Sequence, residues 1–201
     1  MVNFDNLCQT ISVCKDCDLY YSRKNAVCGE GTASSGIMIV GEAPGQKEDL
    51  EGKPFIGRSG KLLDSILSRE GLSRSEVYIS NAVRCRPKLG VAPKVAEIKK
   101  CSKYLKYEIE SIKPRIIVPM GNSALKAVGI VLGFSFPKVT EISGKIYKVK
   151  DYYVIPQFHP AAILRNPKKL EIFKDNFVST ISFLMGVTGK ESLSEREVLK
   201  A

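Results

Sequence analysis

The sequence contains no run approaching the ~20 consecutive apolar residues that a bilayer-spanning helix requires, so a membrane protein is not expected. Residues Met1 to Asn6 carry Asp5 and lack the basic-then-apolar order of an export signal, which points to a cytoplasmic protein. Internal repeats and low-complexity segments are missing too, which argues against a repeat architecture. The glycines of Gly41-Glu42-Ala43-Pro44-Gly45 are not followed by Lys-Ser or Lys-Thr and do not have the dinucleotide-binding spacing, so ATP and NAD are disfavoured as ligands. Histidine is scarce: His159 is the only one.

What is present fits one globular domain. The chain has 201 residues, 44% hydrophobic and 26% charged, enough for a single core over residues 1–186, with a loose tail expected at 187–201 where the apolar period fades. Thirty-one Lys and Arg against 21 Asp and Glu give a net charge of +10. Such a balance suits a polyanionic partner if the charge is clustered, and suits solubility otherwise.

Four short runs read as strands: Ile37 to Val40, Val77 to Ile79, Arg115 to Pro119 and Tyr152 to Ile155. Three are nearly continuous apolar stretches, the mark of strands covered on both faces of a parallel sheet. Helical stripes separate them, at Leu62, Leu63, Ile66 and Leu67 and again from Val95 to Ile112, where Lys99, Lys100, Lys103 and Lys106 form the outer face. Asn122-Ser123 is expected to cap a short helix through Ala127, Val139 to Val149 to form an added hairpin, and Leu170 to Leu184 to form the last helix. Strands alternating with helices predict a three-layer α/β/α sandwich around a mainly parallel four-stranded sheet.

Ligands of such sheets bind at the carboxyl ends of the strands. Each expected strand there leads into a polar motif: Gly41 to Gly45, Asn81, Gly121-Asn122-Ser123, and Phe158-His159-Pro160. His159 suits a structural role or donation of a hydrogen bond to a developing oxyanion. Asn81 suits a turn cap or the reading of a base edge, and Phe55 suits core filling or stacking on a planar ring. Cys14 and Cys17 form C-x2-C, and Cys85 and Cys101 lie fifteen residues apart. This set of four thiols suits zinc or an iron-sulfur cluster, and the spacing does not choose between them. Cys8, on the apolar face of an N-terminal helix, and Cys28, beside Gly29, read as spare thiols.

From about Cys14 to about Lys174 the sequence resembles the family 4 uracil-DNA glycosylases, the thermostable iron-sulfur branch of their superfamily. The resemblance is carried by Gly41 to Gly45 with Glu48-Asp49, by Gly52-Lys53-Pro54-Phe55-Ile56-Gly57 and Arg58 to Asp64, by Asn81-Ala82-Val83-Arg84-Cys85-Arg86-Pro87, and by Phe158-His159-Pro160-Ala161 leading into Leu164-Arg165-Asn166-Pro167. It implies a uracil-DNA glycosylase fold and a hydrolase of base excision repair. Cys14, Cys17, Cys85 and Cys101 would hold a structural 4Fe-4S cluster. Gly41, Glu42 and Ala43 would line the uracil pocket, with Phe55 stacking on the ring, Asn81 reading its edge and His159 bonding its O2 side. Ile163 and Leu164 would form the wedge that enters the DNA, and Arg165 would meet the backbone. Ala43 stands where many superfamily members carry a water-orienting aspartate, as the resemblance to family 4 implies; Glu42 is the first choice for that task and Glu48 the second.

The expected reaction is therefore monofunctional excision of uracil from single- or double-stranded DNA, leaving an abasic site. Arg86 to Pro93 is short and has no histidine, unlike the insertion of the covalent uracil-binding relatives. The rivals are a non-catalytic iron-sulfur nucleic-acid-binding module and a zinc hydrolase. A monomer is the default for this architecture, and the tail carries no pattern that assigns a partner such as a replication clamp.

Overall fold

The computed structural model describes residues 4–88, 91–185 and 198–200. Strand β1 (Ile37–Gly41) lies between β2 (Tyr78–Asn81) and β3 (Ile116–Pro119), and β5 (Tyr152–Val154) follows β3; the three pairings among these four strands are all parallel. They are the strands expected from the sequence. Their side chains alternate between two cores. Met38, Val40, Ile117 and Val154 face one side, while Ile37, Ile39, Ile116 and Val118 face the other, all at 0% exposure. Helices must therefore cover both faces, which is why the runs read as continuous apolar stretches rather than alternating ones.

The first face is covered by α1 (Phe4–Ser12), α4 (Val95–Ile112) and α5 (Asn122–Leu132), which bring Ile11, Leu105, Ile109, Leu125 and Val128 onto it. The second is covered by α3 (Arg58–Arg69), α7 (Pro160–Arg165) and α8 (Leu170–Met185), through Leu63, Leu67, Ile163, Phe173 and Phe177. Each such apolar side chain, fully buried, contributes about 1.5–3 kcal/mol. The α/β/α layering follows. Helix α4 begins where Glu97 accepts the Lys94 N–H at 2.6 Å and ends at Lys113 in a left-handed turn before Pro114. Its lysines at 99, 100, 103 and 106 are exposed, as the stripe predicted.

Several local expectations change. The residues from Val139 do not begin a hairpin: Asn122 accepts the Val139 N–H, and α6 (Val139–Ile142) winds one turn before Gly144 at φ +84°. The hairpin forms further on, between β4 (Ile146–Val149) and β5, antiparallel. Asn122 and Ser123 do not cap α5, because Asn122 serves Val139 and Ser123 serves Glu42; Gly121 at φ +86° is the cap, and the helix runs to Leu132. Cys8 and Cys28 are not spare thiols. They form a disulfide, since α1 sets Cys8 within a Cα–Cα distance of 5.5 Å of Cys28. Most of the tail expected from 187 lies outside the described residues; β6 (Val198–Lys200) pairs with β4 and completes a six-stranded sheet. Among the described residues no helix is long and apolar enough to cross a membrane.

The order β2-β1-β3-β5 reverses direction at β1. The crevice outside the ends of β1 and β3 is thus the switch point where an open sheet receives ligands. In register, Gly41 is level with Asn81 and Val40 with Pro119, and Met120 bridges to Gln157, so the strand tips form one rim.

Candidate active site

At the tip of β1 the chain runs into α2 (Gln46–Glu51), whose two buried carboxylates point in different directions. Glu48 Oε1 accepts the N–H groups of Ile56 (3.0 Å) and Gly57 (2.8 Å), fixing the loop that carries Phe55. Asp49 Oδ1 accepts those of Lys24 (2.8 Å) and Asn25 (3.2 Å). The two backbone bonds commit one oxygen of Glu48 to holding a loop, and Glu48 also lines the cavity in front of Phe55, whereas Glu42 is not among the residues that wall it. Glu42 Oε2 accepts from Ser123 Oγ at 2.6 Å.

Phe55 is buried and has φ +51°, a left-handed conformation that side chains other than glycine rarely adopt. Two glycines make it possible. A Cβ at Gly60 would lie 1.6 Å from the Phe55 carbonyl oxygen, and a Cβ at Gly41 would lie 2.4 Å both from the Phe55 ring and from Asn81 Oδ1. The ring therefore lies directly on the end of β1. Across from it stands His159, ring centroids 5.8 Å apart and planes tilted by 32°.

His159 precedes Pro160, the first residue of α7, and its Nδ1 accepts the Ala161 N–H at 3.1 Å. Nδ1 must then be unprotonated, so a neutral His159 carries its proton on Nε2 as a donor. Burial pushes the imidazole below its ordinary value; Glu42 opposes that shift and Arg165 adds to it. The neutral form is accordingly the one present at pH 7.

Asn81 is 2% exposed, and its Oδ1 has no hydrogen-bond partner. A buried amide oxygen without a partner is costly, and a water or ligand that supplies a donor would relieve it. In front of Phe55 and His159 opens a cavity of about 580 Å³, walled also by Ala43, Gly45, Leu164 and Arg165. Lys47, Arg58 and Arg165, all exposed, put positive charge around it. Of the expected wedge pair only Leu164 is available, at 43% exposure. Ile163 is 1% exposed and packs in the core with Phe173 and Phe177, because successive positions on a helix are turned by about 100° from one another, so its assignment to the wedge is corrected.

The four remaining cysteines also come together. Cys14, Cys17, Cys85 and Cys101 line one small cavity between the end of α1, the 3-10 turn Asp18–Tyr21, the loop after β2, and α4, and none is in a disulfide. Burial pushes the Cys17 and Cys85 thiols up, and Cys101 up to about 12. Arg23 works against this at Cys85, donating to its Sγ at 3.1 Å, and Arg84 does so at Cys101. Among the described residues no three His, Cys, Asp or Glu side chains are grouped around a position for a single metal ion.

Sequence reasoning missed Arg74, Gly60, the bond from Ser123 to Glu42, and the buried pair of Arg84 and Glu108. Gly60, inside the helical run Arg58–Arg69, carried a signal, since an interior glycine often marks close backbone approach. The others are contacts between segments far apart in the chain.

Known proteins share much of this sequence. Residues 28–182 match the model of the family described as "Uracil DNA glycosylase superfamily". The chain is 41% identical to the type-4 uracil-DNA glycosylase of Sulfurisphaera tokodaii, over 88% of its own length and 83% of that protein. It is 38% identical to the type-4 uracil-DNA glycosylase of Archaeoglobus fulgidus, over 88% of its length and 91% of the relative, and 40% identical to that of Saccharolobus solfataricus, over 88% and 84%. With its strand-tip pocket and these matches, the chain belongs to the uracil-DNA glycosylase superfamily.

Proposed function

We propose that the protein excises uracil from DNA by hydrolysing the N-glycosidic bond, releasing free uracil and leaving an abasic site. The observation that carries this reading is the meeting of Phe55, His159 and the unpartnered Asn81 Oδ1 at one rim. The scissile bond is inaccessible in a duplex, so the nucleotide must swing out of the stack, at a cost of a few kcal/mol. Uracil then stacks on Phe55. Its N3–H and O4 present a donor beside an acceptor, the complement of the oxygen and NH2 of Asn81. Exposed Leu164 is placed to fill the gap left in the duplex, and Arg165 to meet the backbone.

As the bond lengthens, negative charge gathers on the departing base and positive charge on the sugar. A neutral His159 donating from Nε2 toward the O2 side stabilises the first without having to lose a charge of its own, in a site shielded from water. Glu42, held by Ser123, is our assignment for the group that orients the attacking water. All these groups come from one chain, so a monomer is sufficient for the reaction. The reading places no lysine for Schiff-base chemistry, and the enzyme leaves the strand intact.

Cys14, Cys17, Cys85 and Cys101 would hold a 4Fe-4S cluster: the donors are all thiols, none is in a disulfide, and they share one cavity. Bound there, the cluster supplies a structural clip between the N-terminal segment, the loop after β2 and α4. The reading is tested by incubating the protein with an oligonucleotide holding one uracil and then treating with alkali. Cleavage at uracil and not at thymine or cytosine is expected, and uncut DNA would overturn it.

A further inference from the structure

Arg74 belongs to none of the motifs that form the pocket. It opens the short 3-10 turn Arg74–Glu76 just before β2, and its side chain is 24% exposed. Its guanidinium reaches back to the loop of Phe55. Nη1 donates to the Phe55 carbonyl at 3.1 Å and to Asp64 Oδ1 at 3.0 Å; Nη2 donates to the Pro54 carbonyl and lies 3.0 Å from Glu30 Oε1; Nε donates to Glu30 at 3.0 Å. Every nitrogen of the fork is thus engaged. Two consecutive carbonyls, at and just before the residue with φ +51°, are drawn to one cation.

Each supporting carboxylate sits on a fixed element. Asp64 is on α3, whose Gly60 packs against the same Phe55 carbonyl, and Glu30 exchanges both backbone hydrogen bonds with Ile79 of β2, at 3.0 and 2.8 Å. The left-handed turn at Phe55 is disfavoured in itself and persists only where its surroundings over-determine it. Gly60 supplies the space and Arg74 supplies the attraction. A lysine could not replace it, because a point charge cannot serve two carbonyls and two carboxylates in a plane.

We infer that Arg74 is the positioning residue of the stacking platform: by capturing the Pro54 and Phe55 carbonyls it holds the Phe55 ring against Gly41 and opposite His159, and so sets how tightly the enzyme grips the extruded base. This rests on the uracil-excision reading. Arg74 touches no substrate itself and acts through Phe55.

The test compares Arg74→Met, Arg74→Lys, Phe55→Ala and the Phe55→Ala/Arg74→Met double variant, each as the full chain. The readouts are inhibition by free uracil, single-turnover excision, and affinity for duplex carrying a reduced abasic site. Arg74→Met is expected to weaken uracil inhibition about tenfold, the scale of a lost base–aromatic stack, with excision slowed by at least as much. Affinity for abasic DNA, which offers no base to stack, stays within about twofold, the usual scatter for uncoupled sites. Arg74→Lys does not restore uracil inhibition, and in the Phe55→Ala background Arg74→Met adds nothing. Uracil inhibition unchanged in Arg74→Met, restored in Arg74→Lys, or weakened further in the double variant overturns the inference. Should Arg74→Met fail to fold, Asp64→Asn, which loosens one side of the guanidinium, is expected to weaken uracil inhibition about threefold, and no change there counts equally against it. A wild-type protein that excises no uracil would defeat the functional reading instead, which keeps the two failures distinct.

Discussion

Two arginines bracket β2, and they are used in opposite ways. Arg74, a quarter exposed, reaches forward to main-chain carbonyls and keeps a strained loop in place, with carboxylates that are themselves 37% and 42% exposed. Arg84, 2% exposed, pairs with fully buried Glu108 at 2.6 Å, and Ser80 and Tyr78 supply the remaining hydrogen bonds to that carboxylate. Arg84 also leads into Cys85 and lies against Cys101, so its network backs the cysteine cavity just as Arg74 backs the base pocket. The pocket side is a deformed backbone steadied by a partly hydrated charge. The cysteine side is a buried network in which Arg84 Nε already lacks a partner and breaking the pair strands another group.

This contrast can be broken most directly at Glu108. Glu108→Ala leaves the Arg84 charge buried without its counterion, and a loss of about 3–5 kcal/mol in unfolding free energy is expected in denaturant titration. A loss under about 1 kcal/mol, the range of exposed pairs, would show that the cysteine side tolerates disruption as the pocket side does. The next largest effect belongs to the pocket. His159→Ala should slow single-turnover excision on the order of 100-fold or more, the usual consequence of removing a donor to a developing anion, while DNA binding in a gel-shift assay persists. Equal loss of binding and rate would reassign His159 to the framework.

The smallest effect is the pH dependence. Burial lowers the folded-state value of His159 beneath its unfolded value near 6.5, so the native state binds fewer protons than the unfolded chain. The stability it contributes is complete above about pH 6.5 and declines as pH falls below that toward the depressed folded value. Thermal unfolding followed down through this window should lose stability in the wild type and lose less in His159→Asn. Identical profiles would mean that the imidazole is not held neutral.

The sheet and its layers were legible because they depend on composition along short windows. Three strands buried on both faces, and α4 with its lysine-bearing outer side, announce themselves by period alone. The strand-tip residues were legible for a related reason, since the carboxyl ends of parallel strands are the one place where Gly41, Asn81 and His159 can converge. What failed involved partners distant in sequence. Ser123 resembled a cap until Glu42, 81 residues away, claimed its hydroxyl. Ile163 and Leu164 are equally apolar, and only the packing of α7 on Phe173 and Phe177 tells the core residue from the exposed one. Cys8 and Cys28 offered no spacing rule to pair them. The left-handed turn at Phe55 was invisible because glycine alone advertises positive φ, and here the glycines that permit it are Gly41 and Gly60 rather than residue 55 itself.

The bond between Cys8 and Cys28, 20 positions apart, closes the stretch bearing Cys14 and Cys17 into a covalent ring. Exposed Val13 lies on that ring. A protease nicking there opens the circle yet releases no fragment, because both new ends remain shackled through sulfur. The damaged chain keeps its full mass on a denaturing gel and comes apart only when a thiol reagent is added.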